Sequence, residues 1–417
     1  MPAPVYGLIS PCGWGNLGDA AIQESAIRGI RGRDPDARFV GFTLNPEDTT
    51  ERHGIPAAPI SGLTSTSYGV RLPPAPLSPV DRLIQEIEST RGGYRVGRAA
   101  GAVARYFGSE RRHAALIRPY LAGLSALVVS GGGQVDGLWG GPWGHPYALW
   151  KWSRVAARRQ IPFFVLSVGA GVAGGALSRW FLGRALRQAR YRSYRDSHSR
   201  EIAASLGLGL DPGPVVPDLA FGYEMPVRPP SETGSRTVRI GISPIAFRDP
   251  RVWPVPDAAR YERYLSVLAG FIQDVAARGH EVVLFTTDGA DTRVVADLCE
   301  RVRSPAVVTA ATPTLAALAG VLAGVDVVVA SRLHGVLLAH VAGRPVLALS
   351  YDWKVDRHME DLGQGAYRAS IDLADPAPWI LALEQLIRER ARMAAAVESA
   401  VERARTRVLA QYAAVFP

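Results

Sequence analysis

The sequence predicts an α/β protein with two doubly wound parallel sheets, that is, two Rossmann-like domains. Short buried apolar runs alternate with amphipathic helical stretches in both halves of the chain, a pattern typical of parallel sheets covered by helices. The length of 417 residues exceeds that of a usual single domain. We therefore expect an active cleft between the two domains, facing the carboxyl ends of the strands.

The domain boundary is predicted from composition. Residues Glu224–Thr237 have the Pro, Ser and Gly content of a linker. This predicts an N-terminal α/β domain over 1–226, a linker over 227–237 and a C-terminal α/β domain over 238–385. The last helical stretch, 386–417, is expected to pack back on the N-terminal domain.

Charge and cysteine content limit the classes of partner. The formal net charge of +9 suits an anionic substrate or membrane surface. No nucleic-acid partner is expected, since the basic residues are spread along the chain without an aromatic RNA-binding signature. The basic helical face that carries Arg98, Arg105, Arg111, Arg112 and Arg118 is either solvated or in peripheral contact with anionic lipid. Cys12 and Cys299 have no metal or redox spacing and no signal peptide is visible, so we expect a cytoplasmic protein, either free or at the inner face of the membrane.

The stretch Val325–Lys354 predicts a buried strand, a turn, a helix and a second strand. Arg332 and His334 fall in the turn, where the carboxyl end of a strand meets a helix N-terminus and unpaired N–H groups favour a bound anion. The alternative is that Arg332 is a surface arginine and His334 an ordinary residue of the first helical turn.

A glycine-rich turn follows the first predicted strand. Residues Gly13–Gly18 match G-x-G-x-x-G, but a dinucleotide is disfavoured. The second strand does not end in an acid for a ribose, and Asp19 would repel a pyrophosphate. We expect Asn16 and Asp19 to contact hydroxyl groups; the alternative is that Asp19 caps the helix and the glycines only form the turn.

A second glycine-rich turn continues into a loop that is rich in aromatic residues. Gly132 and Gly133 follow a buried strand, and Trp139, Trp143 and His145 come next in a Gly/Pro-rich segment. Aromatic rings at such a strand end suit stacking on the apolar face of a sugar. These residues therefore predict a sugar site.

Together these features resemble the polysaccharide pyruvyl transferase family. The resemblance is carried by six motifs: G-N-x-G-D at Gly15–Asp19, the triple glycine at Gly131–Gly133, R-D-x-x-S at Arg195–Ser199, P-D-x-A-F at Pro217–Phe221, S-R-L-H-G at Ser331–Gly335 and the segment Tyr351–Lys354. Their order covers nearly the whole chain.

The resemblance implies a GT-B-like arrangement of the two domains. It also implies a transferase that moves the pyruvyl group of phosphoenolpyruvate onto two hydroxyls of a sugar as a cyclic ketal and releases phosphate. The acceptor is then a sugar or glycan, lipid-linked or free, of cell envelope biosynthesis. Phosphoenolpyruvate is a co-substrate, and neither a cofactor nor a metal is required. Ala20 stands where the family often has an acid, and the insertion at Ile55–Val80 and the tryptophan loop are individual to this chain, which leaves the acceptor open. The sequence also leaves the oligomeric state open.

Residue roles follow from the resemblance together with charge. Arg195, Arg332 and Lys354 come from three strand ends and suit the carboxylate and phosphate of the donor. Ser331 and Gly335 complete the donor site. His334 is the expected general acid or acid/base, assisted by Arg332 and with Asp19 as a further catalytic candidate. The residues expected on the acceptor side are Asn16, Gly132, Gly133, Trp139, Trp143 and His145.

Two other functions stay open from sequence. One is a GT-B glycosyltransferase that uses a nucleotide sugar, although the residues after Gly335 offer no carboxylate for a ribose. The other is a non-catalytic sugar-binding relative, against which the presence of Arg332 and His334 argues.

Overall fold

The structure is a computed structural model, and it describes residues 3–13, 15–62, 108–137, 140–207, 209, 211–225 and 237–416. The chain forms two compact units. The first comprises Met1–Gly13, Ile30–Asp218 and Val415–Pro417, and the second Trp14–Gly29 and Leu219–Ala414. The predicted linker lies almost wholly outside the described residues, and the predicted domain boundaries stay predictions.

Helices and strands alternate along the chain, as the sequence predicts. In chain order they are β1 (Val5–Ile9), α1 (Leu17–Arg31), β2 (Arg38–Thr43), α2 (Pro46–His53), β3 (Ala57–Pro59), β4 (Leu124–Ser130), α3 (His145–Arg159), β5 (Phe163–Val168), α4 (Ala176–Gln188), β6 (Tyr191–Tyr194), α5 (Ser197–Ala204), β7 (Arg239–Ser243), α6 (Ala258–Ala277), β8 (Glu281–Leu284), α7 (Thr292–Arg301), β9 (Val307–Thr309), α8 (Leu315–Ala323), β10 (Val327–Ala330), α9 (Leu333–Val341), β11 (Val346–Ser350), α10 (Trp353–Asp361), β12 (Arg368–Ser370) and α11 (Ala377–Val415).

The first unit is built on a parallel six-stranded sheet in the order β3-β2-β1-β4-β5-β6. The strand order reverses between β1 and β4, so the turns after these two strands border the crevice where doubly wound sheets bind ligands. Trp152 is buried in the hydrophobic core of this unit. Its ring lies 4.0 Å from that of Phe42, and its indole N–H donates to the carbonyl of Ile60 at 2.8 Å.

The second unit has a parallel six-stranded sheet in the order β12-β11-β10-β7-β8-β9. Its order reverses between β7 and β10, where Ser243 and Ala330 are paired at the last positions of the two strands. Val327, Val328 and Val329 are all buried. The Ser331–Gly335 turn follows this fully buried strand, β10, and therefore lies at the ligand-binding edge of the sheet.

Helix α1 begins two residues earlier than Asp19. Asn16 Oδ1 accepts hydrogen bonds from the backbone N–H of Gly18 at 2.9 Å and of Asp19 at 3.2 Å. Asn16 therefore satisfies the first donors of the helix, and the prediction that Asp19 is the cap is wrong. Asp19 instead lies within the first turn, partly exposed.

Most of α1 belongs to the second unit. Leu17, Ile22 and Ile27 are buried. The backbone of Gly29 lies against the ring of Tyr412 on α11, where an added Cβ would come within 2.3 Å of the ring. The helix thus packs along the C-terminal part of the chain through apolar side chains and one close backbone contact.

The end of the chain returns to the first unit. Within the second unit, Arg405 on α11 donates to the carbonyls of Phe221 at 3.4 Å and Tyr223 at 3.3 Å. Within the first unit, the ring of Phe416 lies edge-on to Tyr6 at 5.5 Å and to Phe164 at 5.4 Å. Among the described residues, none of the helices is long and apolar enough to cross a membrane.

Candidate active site

The Ser331–Gly335 turn forms at the carboxyl end of β10, as predicted. Helix α9 starts at Leu333, and its first N–H groups have no carbonyl partner within the helix. Ser331 and Gly335 are both buried, and a Cβ added to Gly335 would be in ordinary contact with Thr287 Oγ1, at 3.4 Å. Donor contacts from these two residues, which stay a prediction, would therefore come from the backbone more readily than from side chains.

Arg332 is held by two carboxylates. Its Nε donates to Asp291, its Nη2 donates to the same carboxylate at 2.9 Å, and its Nη1 lies 3.3 Å from Asp288. Burial acts to lower the pKa of Arg332, but the charge and hydrogen bonds of Asp291, with the charge of Asp288, raise that pKa above its ordinary value. Arg332 is therefore a charged, fixed group whose charge the protein already compensates.

Asp291 is fully buried, whereas the Arg332 side chain keeps 24% of its surface exposed. Burial raises the pKa of Asp291, and the contacts from Arg332 and the N–H of Ala246, at 2.9 Å, oppose that rise. We take the bidentate geometry to hold this carboxylate ionised. Asp288 and Asp291 were not predicted as site residues from the sequence, although both follow strand β8 in the segment TTDGAD and so lie at a strand end.

The glycine-rich turn before α1 lies against the same strand ends. Asn16 Nδ2 donates to Asp288 Oδ2 at 3.1 Å, and the N–H of Leu17 donates to the carbonyl of Thr287 at 2.9 Å. Asp288 therefore joins Asn16 to Arg332. Two motifs that are more than three hundred residues apart in sequence meet in one polar network of the second unit.

His334 packs directly on this turn. A Cβ added to Gly18 would lie only 2.0 Å from Cγ and 2.2 Å from Nδ1 of His334. Only a glycine leaves room for the imidazole there, so the close approach of helix and ring explains the second glycine of G-N-x-G-D. His334 remains partly exposed. The structure thus brings the expected catalytic histidine onto the turn that carries Asn16 and Asp19.

The segment after β11 adds Lys354 and Tyr351. Asp352 accepts from the N–H of Lys354 at 3.0 Å and caps α10, while Lys354 Nζ lies 5.9 Å from the ring centre of Trp353. Tyr351 is close enough to Arg332 for the two to interact electrostatically. Burial, against the opposing charge of Arg332, raises the pKa of Tyr351 to about 12, so its hydroxyl stays protonated near neutral pH.

Arg195 belongs to the first unit and is nearly buried. Its side chain is 7% exposed and lies 3.3 Å from Asp196 and 3.5 Å from Asp218. Its guanidinium group covers the backbone of Gly169 so closely that an added Cβ would lie 2.6 Å away. Donor binding by Arg195 stays a prediction, and the observed contacts are those of a residue that joins neighbouring loops.

The other residues of R-D-x-x-S also have local structural tasks. Asp196 Oδ1 accepts from the N–H of Ser199 at 2.6 Å and caps α5. The hydroxyl of Ser199 accepts from the N–H of Ala170 at 2.9 Å. The motif fixes the turn after β5 to the turn after β6.

The predicted acceptor residues of the first unit differ in exposure. Trp143 is 48% exposed, whereas His145 opens α3 with 7% exposure. Burial lowers the pKa of His145 to about 4, so the ring is neutral. Gly133 borders open space, since no atom lies within 4 Å of an added Cβ, and Gly132 has the positive φ of 72° that favours glycine. Trp139 lies outside the described residues, and the acceptor roles stay predictions.

Among the described residues, no group of three or more His, Cys, Asp or Glu side chains is arranged to hold a metal ion.

Solved structures show the same fold at low sequence identity. A putative UDP-N-acetylglucosamine 2-epimerase from Listeria monocytogenes matches with a TM-score of 0.55 and 11% identity over 96% of this chain and 94% of that chain. MnaA from S. aureus, solved with UDP, matches with a TM-score of 0.54 and 10% identity over 95% and 91%. MurG from Acinetobacter baumannii matches with a TM-score of 0.50 and 12% identity over 96% and 95%. These likenesses confirm the predicted fold of two Rossmann-like units of GT-B type and carry nothing about the reaction.

No curated protein sequence matches the chain. A family model does, and it is described as polysaccharide pyruvyl transferase. The match covers residues 16–352, which include the Asn16 turn, the Arg195 and Asp218 motifs, the Ser331–Gly335 turn and Tyr351. The chain therefore belongs to the polysaccharide pyruvyl transferase family.

Proposed function

We propose that this protein transfers the pyruvyl group of phosphoenolpyruvate to two hydroxyls of a sugar and forms a cyclic ketal. Family membership indicates a transferase that acts on a sugar or glycan. The observation that carries the finer proposal is the contact of His334 with Gly18. This contact gives the imidazole a fixed position beside the Asn16–Asp19 turn, in a residue that is partly exposed although its Nε2 is buried.

The reaction removes two protons from the sugar hydroxyls and delivers one to C3 of phosphoenolpyruvate and one to the departing phosphate. The first sugar hydroxyl adds to C2 of phosphoenolpyruvate while C3 accepts a proton and becomes a methyl group. Phosphate then leaves with the electrons of its bond to C2, and the second hydroxyl attacks C2 and loses its proton. The products are the ketal and inorganic phosphate. His334 is the proposed acid/base, because an imidazole can both donate and accept a proton in such a reaction, with Asp19 as a base for a hydroxyl.

The donor carries a carboxylate and a phosphate. Because Asp288 and Asp291 compensate Arg332, that arginine alone does not supply the positive charge for both groups. In the second unit, the backbone N–H groups at the start of α9 and the ammonium group of Lys354 are the additional groups that can bind these anions. Arg332 still has N–H groups beyond the two that bind Asp291, and these are available to an oxygen of phosphoenolpyruvate.

The proposal is tested by incubating the protein with phosphoenolpyruvate and sugar glycosides. Phosphorus NMR would follow phosphate release, and mass spectrometry would detect a sugar with a ketal-linked pyruvate. His334→Asn is the matched variant, since it keeps a polar side chain of similar size. Full activity of His334→Asn would contradict the assigned mechanism. Turnover of a nucleotide sugar in place of phosphoenolpyruvate would replace the proposed reaction by glycosyl transfer.

The cellular setting is part of the same proposal. A cytoplasmic enzyme would meet phosphoenolpyruvate directly, and a lipid-linked acceptor would require contact with the inner face of the membrane. Of the arginines that predict such contact, Arg98 and Arg105 lie outside the described residues, and Arg111, Arg112 and Arg118 are exposed. Sedimentation with anionic vesicles compared with neutral vesicles tests this contact.

A further inference from the structure

A second concave site lies in the second unit, beside the Ser331–Gly335 turn. It is an open cavity of about 570 Å³ at the carboxyl ends of β7, β11 and β12. Its wall is made by side chains of the loop after β7, the segment Ser350–Trp353 and the region around β12. None of the predicted donor or acceptor residues lines it. It therefore requires an explanation of its own.

Two aromatic side chains form one wall of the cavity. Tyr351 and Trp353 are both 37% exposed, which is unusual for large rings at a strand end. Tyr351 is supported from behind by Trp253, edge-on at 5.5 Å, and by Phe247 at 6.2 Å. Supported and partly exposed rings are suited to stacking on the apolar C–H face of a ligand.

The charges of the cavity balance. Its lining includes three arginines and three aspartates, Arg248, Arg260, Arg368, Asp352, Asp356 and Asp372. Arg260 is paired with Asp372, and Arg368 lies 3.8 Å from Asp356. An anionic ligand would gain little from a site with equal numbers of both charges, whereas vicinal hydroxyls can donate to the carboxylates and accept from the guanidinium groups.

Arg248 has an additional feature. It is a non-glycine residue with a φ of 64°, and its Nη1 donates to the carbonyl of Val255 at 3.0 Å. Its buried Nε has no hydrogen-bond partner among the described residues. Because Nε has no accessible surface, a ligand in the open cavity would meet the rest of the Arg248 side chain, which lines the cavity, and not Nε.

We propose that this cavity binds a neutral pyranose ring of the acceptor glycan. Tyr351 and Trp353 stack on the ring, and Arg248 with the paired aspartates contacts its hydroxyls. Strands β10 and β11 are paired in parallel, so the segment after β11 that carries Tyr351 leaves the same edge of the sheet beside the turn that carries His334. The assignment to an acceptor rests on the proposed pyruvyl transfer, whereas the binding of a sugar ring does not.

The test measures sugar binding to the whole protein without phosphoenolpyruvate. Saturation-transfer NMR with methyl glycosides of glucose, galactose, mannose and N-acetylglucosamine is expected to detect binding of at least one. Trp353→Ala should weaken it about tenfold or more, as loss of one aromatic stacking partner predicts, whereas Trp353→Phe should retain most of it. Trp180→Ala is the matched control, because Trp180 is 48% exposed in the first unit and does not line this cavity.

The outcomes test the assignment of the cavity independently of the proposed reaction. Unchanged sugar binding in Trp353→Ala, or displacement of the sugar by inorganic phosphate or UDP, would overturn the cavity assignment. In a turnover assay, Trp353→Ala should raise KM for the acceptor more than KM for phosphoenolpyruvate, which can shift to a smaller extent because Lys354 Nζ lies 5.9 Å from the Trp353 ring. Sugar binding that depends on Trp353 in a protein that does not consume phosphoenolpyruvate would uphold the sugar site and reject the proposed function. Thermal unfolding of each variant shows that it is folded.

Discussion

Each unit carries an arginine and a histidine that the sequence places in a ligand site, and the two pairs differ in burial. In the first unit, the side chain of Arg195 and residue His145 are each 7% exposed. In the second unit, the Arg332 side chain is 24% exposed and His334 is partly exposed. Both arginines lie between two aspartates. A strand-end position therefore brings a residue to the right edge of a sheet, and burial decides whether it can reach a ligand.

The largest expected effect distinguishes the two histidines. His334→Ala should lower pyruvyl transfer by about a hundredfold or more, which is the usual contribution of a general acid or base. His145→Ala should lower the thermal stability and leave kcat within a few fold, because its ring is buried away from solvent. Phosphate release and thermal unfolding, measured on both variants, check this. A His145→Ala variant that is stable but inactive would remove the distinction.

Paired substitutions distinguish the roles of Arg195 and Arg332. Arg195→Met and Arg332→Met should each reduce the free energy of unfolding by about 3–5 kcal/mol, since each leaves a buried carboxylate without its partner. Adding Asp218→Asn to the first variant, or Asp291→Asn to the second, should restore part of the stability in denaturant unfolding. Activity should return with stability only in the Arg195 pair. If activity returned in the Arg332 pair as well, Arg332 would have only a structural role.

Acid should destabilise the protein through its buried histidines. Burial lowers the pKa of His145 and His113 in the first unit, and of His340 in the second, to about 4 from an ordinary 6.5. The unfolded chain then binds more protons between these values, so stability is fully present above about pH 6.5 and is lost as the pH falls toward 4. Each group contributes up to about 3 kcal/mol. His145→Leu should flatten the pH dependence of unfolding, and an unchanged slope would show that His145 is not a buried neutral ring.

The smallest expected effect is the difference in unfolding free energy between alanine substitutions at two motif glycines. Gly18→Ala places a Cβ 2.0 Å from His334, so the ring or the helix must move. We expect a loss of about 1–3 kcal/mol in unfolding free energy, together with a lower kcat. Gly133→Ala meets no neighbouring atom and should change stability by less than about 0.5 kcal/mol. Equal stability of the two variants in thermal unfolding would contradict the close contact between Gly18 and His334.

Much of the fold could be predicted from the sequence because it depends on local periodicity. The apolar run of β10, the turn at Arg332 and the start of α9 are encoded within a few neighbouring residues. The prediction that Asp19 caps α1 was wrong for a local reason, since Asn16 and Asp19 are both good caps and only the first helical residue decides between them.

The site was less predictable because its contacts connect distant segments. Nothing near Arg332 in sequence indicates that Asp288 and Asp291 compensate its charge, or that Asn16 joins Asp288. The burial of His145 depends equally on the packing around α3. Motif positions identify residues that matter, and their partners determine whether they bind ligand or support the fold.

The place of α1 in the second unit has a consequence for dissecting the protein. Residues 14–29 are synthesised before most of the first unit, yet their packing partners, such as Asp288 and Tyr412, are synthesised far later. A fragment ending at residue 225 would expose the apolar face of this helix, and one beginning at residue 237 would lack it. We expect neither half to be soluble when expressed alone, and a C-terminal fragment to require residues 14–29 in trans or by circular permutation.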